Sequence, residues 1–223
     1  MKTVLVTGAN RGLGLGLVEL FRARGDAVIG VCRHSSDALV RSGARIEAGI
    51  DVTDDAALSG LRRRLEGLVI DELWLNAGIL VRESLDKLNA MGFHGMRQQF
   101  EVNAIGPLRV THALLDHLGP GARIAIITSR MGSIEDNDSG GYYGYRASKA
   151  AVNAIGKSLS IDLAPRGIGV YLLHPGYVAT DMVGGTGDIT PQEAAQRLVA
   201  RVETLGMEQT GTFWHSNGSR LTW

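Results

Sequence analysis

Thr7-Gly8-Ala9-Asn10-Arg11-Gly12-Leu13-Gly14 sits between a short β-branched run, Thr3–Thr7, and a longer stretch, Leu13–Arg24, whose apolar residues recur at helical spacing. Its glycines let the chain turn sharply and bring the backbone close to another group with no Cβ in the way. A helix opening here would direct unpaired N–H groups and a partial positive charge into the turn. A structural turn is the competing reading of any glycine cluster. The strand before this one and the helix after it favour a cradle for a pyrophosphate. The spacing, T-G-x-x-x-G-x-G, departs from the G-x-G-x-x-G fingerprint.

Outward from this turn the same order repeats. Strands are predicted at Thr3–Thr7, Ala27–Cys32, Arg45–Ile50, Glu72–Asn76, Arg123–Thr128, Gly169–His174 and Thr212–His215. Helices are predicted at Leu13–Arg24, Asp54–Glu66, Met91–Leu118, Gly144–Ala164 and Pro191–Leu205. Pro191 after Thr190 is a well-formed helix entry. Several strands are nearly all apolar, as a parallel sheet covered on both faces requires. The pattern predicts an α/β fold, a doubly wound Rossmann-type parallel sheet of about seven strands with helices on both faces. No repeat, low-complexity tract or linker divides the chain, so one domain over 1–223 is expected. Two glycine-bearing stretches, 136–144 and Gly184-Gly185-Thr186-Gly187, read as surface turns or as the margin of an active site.

Composition narrows the function. Lys plus Arg number 23 and Asp plus Glu 23, so no broad attraction to nucleic acid or anionic membrane is implied. Cys32 is the only cysteine, which excludes an intrachain disulfide and a thiolate metal cluster. It reads as a buried strand residue. The apolar N-terminal run stops at Asn10-Arg11 without a cleavage-like pattern, and no stretch is long enough to span a membrane. A cytoplasmic protein is expected. His112, His117 and His174 show no metal-like clustering with carboxylates, and no metal is expected.

The second constellation is Tyr145-Arg146-Ala147-Ser148-Lys149. On a helix, Tyr145 and Lys149 share one face, one turn apart. An ammonium beside a phenol stabilises phenolate and is expected to lower the tyrosine's pKa. Such pairs also decorate ordinary surface helices. Tyr142 and Tyr143 are neighbouring candidates, but the residues four beyond them are Arg146 and Ala147.

The glycine turn, Asn76-Ala77-Gly78 after the fourth strand, Tyr145-x-x-x-Lys149, and Pro175-Gly176 with Thr180 after the sixth strand resemble the short-chain dehydrogenase/reductase family. The resemblance covers essentially the whole chain, with the motifs in family order. Ser129-Arg130-Met131-Gly132-Ser133 and Asn217-Gly218-Ser219-Arg220-Leu221-Thr222-Trp223 are similar to C-factor/sniffer-type carbonyl reductases. The resemblance implies a catalytic tetrad of Asn103, Ser129, Tyr145 and Lys149. Tyr145 would protonate the substrate oxygen, Lys149 would tune the phenol and hold the nicotinamide ribose, Ser129 would orient the substrate, and Asn103 would support a water-linked proton path. It also implies cofactor contacts at Gly8, Asn10, Arg11, Gly12, Leu13 and Gly14. Asp51 and Val52 would meet the adenine, Asn76, Ala77 and Gly78 would line the cleft, and Pro175, Gly176, Val178 and Thr180 would border the nicotinamide. Asp51 has a second reading as a helix cap, with Thr53 and Asp54 nearer candidates.

A ribose 2′-hydroxyl reader would be an acid near the end of the second strand. Cys32-Arg33-His34-Ser35 contains none. Arg33 instead suits a 2′-phosphate, with Arg11 as a second cation, so NADP(H) is expected over NAD(H). Two solvated arginines are the plain alternative. Ile79, Met131, Tyr142, Tyr177 and Met182 are candidate walls of an apolar pocket for a small carbonyl or alcohol, with Tyr177–Asp188 short for a lid. By resemblance, the two long helices would build a homodimer or homotetramer. The competing function is a non-catalytic NADP-binding regulator of C-factor type, for which a degraded tetrad would speak; this tetrad is intact. Arg33→Asp should weaken NADPH binding by about tenfold more than NADH binding. Titration of both cofactors by fluorescence checks this, and equal losses would remove Arg33 from the assignment.

Overall fold

Successive strand residues face opposite ways, and in the computed structural model, which describes residues 1–223, this alternation divides the apolar strands between two cores. The strands are β1 (Thr3–Thr7), β2 (Ala27–Val31), β3 (Arg45–Glu47), β4 (Glu72–Leu75), β5 (Arg123–Ile127), β6 (Gly169–His174) and β7 (Thr212–His215). All pair in parallel, in the order β3-β2-β1-β4-β5-β6-β7.

The helices are α1 (Gly12–Ala23), α2 (Asp37–Arg41), α3 (Asp55–Arg64), α4 (Ala90–Phe100), α5 (Gly106–Ala113), α6 (Tyr143–Leu163) and α7 (Pro191–Thr204). Leu5, Leu73, Ile124 and Val170 pack with α3, α5 and α6 on one face. Val4, Val6, Trp74 and Tyr171 pack with α1, α2 and α7 on the other. The strand acid Glu72 is buried yet satisfied, accepting from Lys2 Nζ at 2.7 Å and Trp74 Nε1 at 2.9 Å. No helix is long and apolar enough to cross a membrane.

From β1 the chain winds outward through β2 and β3, then returns to place β4 on the other side of β1. The order reverses there, and the loops beyond these two strand ends part to leave a crevice. Thr7 and Asn76 tie its floor together. Thr7 Oγ1 accepts from the backbone N–H groups of Asn76 at 3.0 Å and Ala77 at 3.1 Å, while Asn76 Nδ2 donates to the Thr7 carbonyl at 3.0 Å.

The boundaries differ from expectation at several points. β2, β3, β4 and β5 each stop short of their predicted ends, because Cys32, Ile50, Asn76 and Thr128 already belong to the loops over the crevice. α2 was not anticipated; five residues hold too little periodicity to read. Ser36 caps it, accepting from Leu39 N at 3.1 Å. The cap of α3 is Asp54, whose carboxylate accepts from Ala56 and Ala57, rather than Asp51 or Thr53.

The helix predicted over Met91–Leu118 is four pieces: α4, a π-helical turn at Glu101–Ile105, α5, and a short 3₁₀ turn at Leu115–His117. Pro107 has no N–H for the carbonyl of Asn103, which interrupts α-helical bonding at this point. Thr7→Val keeps the shape of the β1 end but removes the acceptor for two N–H groups. It should cost about 2 kcal/mol in urea unfolding, against less than about 1 kcal/mol for Thr7→Ser.

Candidate active site

The glycine turn leaves β1 into α1 with no room for a side chain at Gly8 or Gly14. A Cβ on Gly14 would lie 2.1 Å from the Gly8 carbonyl, and one on Gly8 2.9 Å from Ala77 Cα. Gly8 and Gly12 have φ of +67° and +53°, a region glycine enters freely. Ser36 Oγ donates to the Asn10 carbonyl at 2.7 Å, so the unpredicted α2 steadies this turn.

The turn forms one end of a cleft of about 1090 Å³. The predicted cofactor residues Gly8, Asn10, Arg11, Gly12, Leu13, Gly14, Arg33, Asp51, Val52, Asn76, Ala77, Gly78, Pro175, Gly176, Val178 and Thr180 all line it, with Tyr145 and Lys149. Arg33 stands at the end of β2, 3.8 Å from the Asp51 carboxylate, with both side chains solvent-accessible. Asp51 accepts from Thr53 N and Oγ1. Burial pushes its carboxyl up, but these hydrogen bonds and Arg33 outweigh it and hold the pKa below the usual value. Arg11 points to Asp181 at 2.9 Å across the mouth.

Ser129, Tyr145 and Lys149 line the far end, where β5 meets α6. Two contacts fix α6 against that strand end. Thr128 Oγ1 donates to Asn153 Oδ1 at 2.7 Å, and a Cβ on Gly132 would lie 2.7 Å from the Lys149 carbonyl carbon. Asn103 is the one tetrad residue outside the cleft wall. It is buried behind Gly78, with Oδ1 accepting from Ile79 N at 2.8 Å and Nδ2 donating to Ile79 O and to Ser148 Oγ. The π-helical turn carries it there.

Electrostatics at this end run against the expectation for the phenol. Burial pushes Tyr145 up to about 12, and a hydrogen bond with Ser129 pulls only partly the other way. Lys149 Nζ donates to the Ile127 carbonyl at 2.9 Å and lies 5.7 Å from the Tyr145 ring centroid. Burial brings its pKa down to about 8. Desolvation therefore disfavours charge on both groups, and the phenol is protonated at neutral pH.

The sequence reading did not place several groups at this cleft. His174 lines the cleft, edge-on to His215 with ring centroids 4.7 Å apart. Its Nδ1 is buried without a partner, and burial together with His215 drives its pKa to about 3. Cys32 is buried at the cleft, where desolvation raises the thiol. The Trp223 carbonyl accepts from Ser133 Oγ and from the N–H groups of Ile134 and Glu135, holding the loop beyond Ser129. No local pattern marks that contact, because its partners lie far apart in sequence. No three His, Cys, Asp or Glu side chains come together as a metal-binding group.

A glycine cradle at the switch point of a parallel sheet, opening into a cleft with a half-buried Tyr145 beside a buried Lys149, defines a nucleotide-dependent oxidoreductase site. The chain belongs to the short-chain dehydrogenase family, whose model matches residues 2–190. It is 39% identical to the 1-hydroxy-2-glutathionyl-2-methyl-3-butene dehydrogenase of Rhodococcus sp. (strain AD45), over 100% of both chains. It is 40% identical to C-signal of Myxococcus xanthus, over 69% of this chain and 93% of that one. Among solved structures, the carbonyl reductase Sniffer of D. melanogaster superposes with a TM-score of 0.90 at 32% identity, covering 100% of both chains. An NADPH-bound carbonyl reductase from chicken fatty liver superposes with a TM-score of 0.89 at 30% identity, covering 100% of this chain and 99% of that one.

Because Lys149 falls from its ordinary 10.5 to about 8, its contribution to stability is full above pH 10.5 and lost as pH falls through 8. Lys149→Met removes that loss. It should raise stability at pH 7 on the order of 2 kcal/mol more than at pH 10.5, by urea unfolding. Equal effects at the two pH values would show that the ammonium carries no burial cost.

Proposed function

We propose that the chain is an NADP(H)-dependent oxidoreductase interconverting a small carbonyl compound and its alcohol, with one domain over 1–223 carrying both cofactor and chemistry. The observation that carries this reading is the placement of Tyr145, Ser129 and Lys149 in the same cleft as the Gly8–Gly14 turn. The cradle fits a dinucleotide: Gly8 and Gly14 allow the turn to pack tightly where a Cβ would collide with backbone, at the start of α1, whose free N–H groups suit a pyrophosphate. Arg33 and Arg11 at the adenosine end suit a 2′-phosphate, and the likeness to an NADPH-bound carbonyl reductase points the same way.

Bound NADPH would supply the hydride. Tyr145, neutral at pH 7, donates a proton to the carbonyl oxygen as it gains charge. Ser129 holds that oxygen by a hydrogen bond. Lys149, with a pKa of about 8, returns a proton to the phenol and would hold the ribose of the bound cofactor. Asn103 fixes Ile79 and Ser148 around this centre and so supports the proton path from behind Gly78. With the cofactor bound, Asp51 and Val52 would flank the adenine, and Pro175, Gly176, Val178 and Thr180 would border the nicotinamide.

Ile79, Met131, Tyr142, Tyr177 and Met182 line the substrate end. These walls suit aldehydes, ketones and quinones, and the likeness to the Rhodococcus enzyme adds glutathionyl-substituted alcohols. α4 and α6 pack together, and the family resemblance makes these helices the expected interface of a homodimer or homotetramer. The likeness to C-signal favours a second reading, an NADP-binding regulator without turnover.

A panel of these substrates, followed by NADPH absorbance, separates the two readings. With a turned-over substrate, Tyr145→Phe should lower kcat by about 100-fold or more while leaving the NADPH Kd nearly unchanged. Cofactor binding without turnover on any member would favour the regulator.

A further inference from the structure

The start of α6 is held by a residue that the proposed chemistry does not use. Glu83 is buried, and both of its carboxylate oxygens accept: Oε1 from Gln99 Nε2 at 2.5 Å, and Oε2 from the Gly144 N–H at 3.2 Å. Its backbone carbonyl accepts from Tyr142 N at 3.1 Å. Gln99 is fully buried and oriented by its other end, where Oε1 accepts from Val81 N at 3.0 Å. The backbone N–H groups can only donate, so the polarity of the whole chain is set.

Three further features single out this contact. Tyr142, the residue before α6, adopts a left-handed conformation with φ of +51° and makes no side-chain cap. It is the only non-glycine residue in that region. Glu83 supplies the cap from outside the helix, placing a carboxylate where the helix dipole favours one. Gly144 has no room for a side chain: a Cβ would lie 2.5 Å from Gln99 Nε2 and 2.7 Å from Glu83 Oε1.

The same segment is tied to Asn103. Gln99 and Asn103 are four residues apart and bind the N–H groups of Val81 and Ile79, alternate residues of one strap. Tyr145 follows Gly144 directly. We propose that Glu83 and Gln99 are positioning residues for Tyr145. They fix the first turn of α6 to the strap Ile79–Glu83, and thereby to Asn103, so that the phenol is held at the substrate oxygen. The inference rests on Tyr145 being the proton donor.

The test exploits the polarity. In Glu83→Gln, the new amide must turn its oxygen to Gly144 N–H, which sets its NH2 against that of Gln99. The swap Glu83→Gln/Gln99→Glu restores all three bonds with donors and acceptors matched. Glu83→Gln should lower kcat about tenfold, with the NADPH Kd within about twofold of wild type. In the free protein it should also speed amide hydrogen exchange in the peptide over 142–146, measured by mass spectrometry, relative to peptides from β4 and β5. The double variant should recover both.

Wild-type kcat and exchange in Glu83→Gln would overturn the proposal, as would a folded double variant that stays about tenfold slow. If Glu83→Gln does not fold, the double variant decides alone. Tyr145→Phe is run alongside. Full turnover by that variant would remove Tyr145 as donor, a failure distinct from unchanged kcat in Glu83→Gln beside an inactive Tyr145→Phe.

Discussion

A single hydroxyl joins the two halves of this sheet where a ligand must enter. Thr7 Oγ1 accepts from the N–H groups of both Asn76 and Ala77 just as β1 and β4 end. The backbone there has run out of ladder partners, and a side chain takes over. Asn76 answers with its own amide on the Thr7 and Gly8 carbonyls. The glycine turn is pressed against this junction, which is why Gly8 and Gly14 tolerate no Cβ. Cleft position, the start of α1 and the route of the loop from Gly78 to Glu83 all follow from that junction.

At the opposite end of the cleft, desolvation decides the chemistry. Spacing alone makes Lys149 an activator of Tyr145 through charge. In the folded chain, Lys149 bonds the Ile127 carbonyl, and burial holds the phenol up and the ammonium down. A protonated phenol suits donation to a carbonyl oxygen; an ammonium near pKa 8 sits close to the range in which protons are exchanged at neutral pH. At neutral pH the phenol is therefore neutral while Lys149 is still mostly an ammonium, and burial makes that charge costly to keep.

Elements with long periodic patterns were legible in the chain. The seven strands and the helices at Leu13, Asp54, Gly144 and Pro191 fall close to where apolar spacing puts them. The break within Met91–Leu118 was not, because apolar spacing continues through a π-helical turn; only Pro107 hints at it. That turn nevertheless aims Asn103 at Ile79 and Ser148. His174 shows no clustering in the sequence, yet it lines the cleft with an unpartnered Nδ1. Glu83 and Gln99 carry no motif at all. Their partners are Gly144 and Val81, and only folding brings these four together.

By itself the sequence determined the parallel α/β sheet, the glycine cradle and the one-turn spacing of Tyr145 and Lys149. Those depend on local periodicity, on where glycine is needed, and on residue chemistry at fixed helical spacing. Tertiary structure alone decided the directions in which burial moves Tyr145 and Lys149, the place of Asn103 behind the cleft wall, and the capping of α6 from a distant loop. Each depends on desolvation or on hydrogen bonds between residues far apart in the chain, and neither can be read until the chain has closed around them.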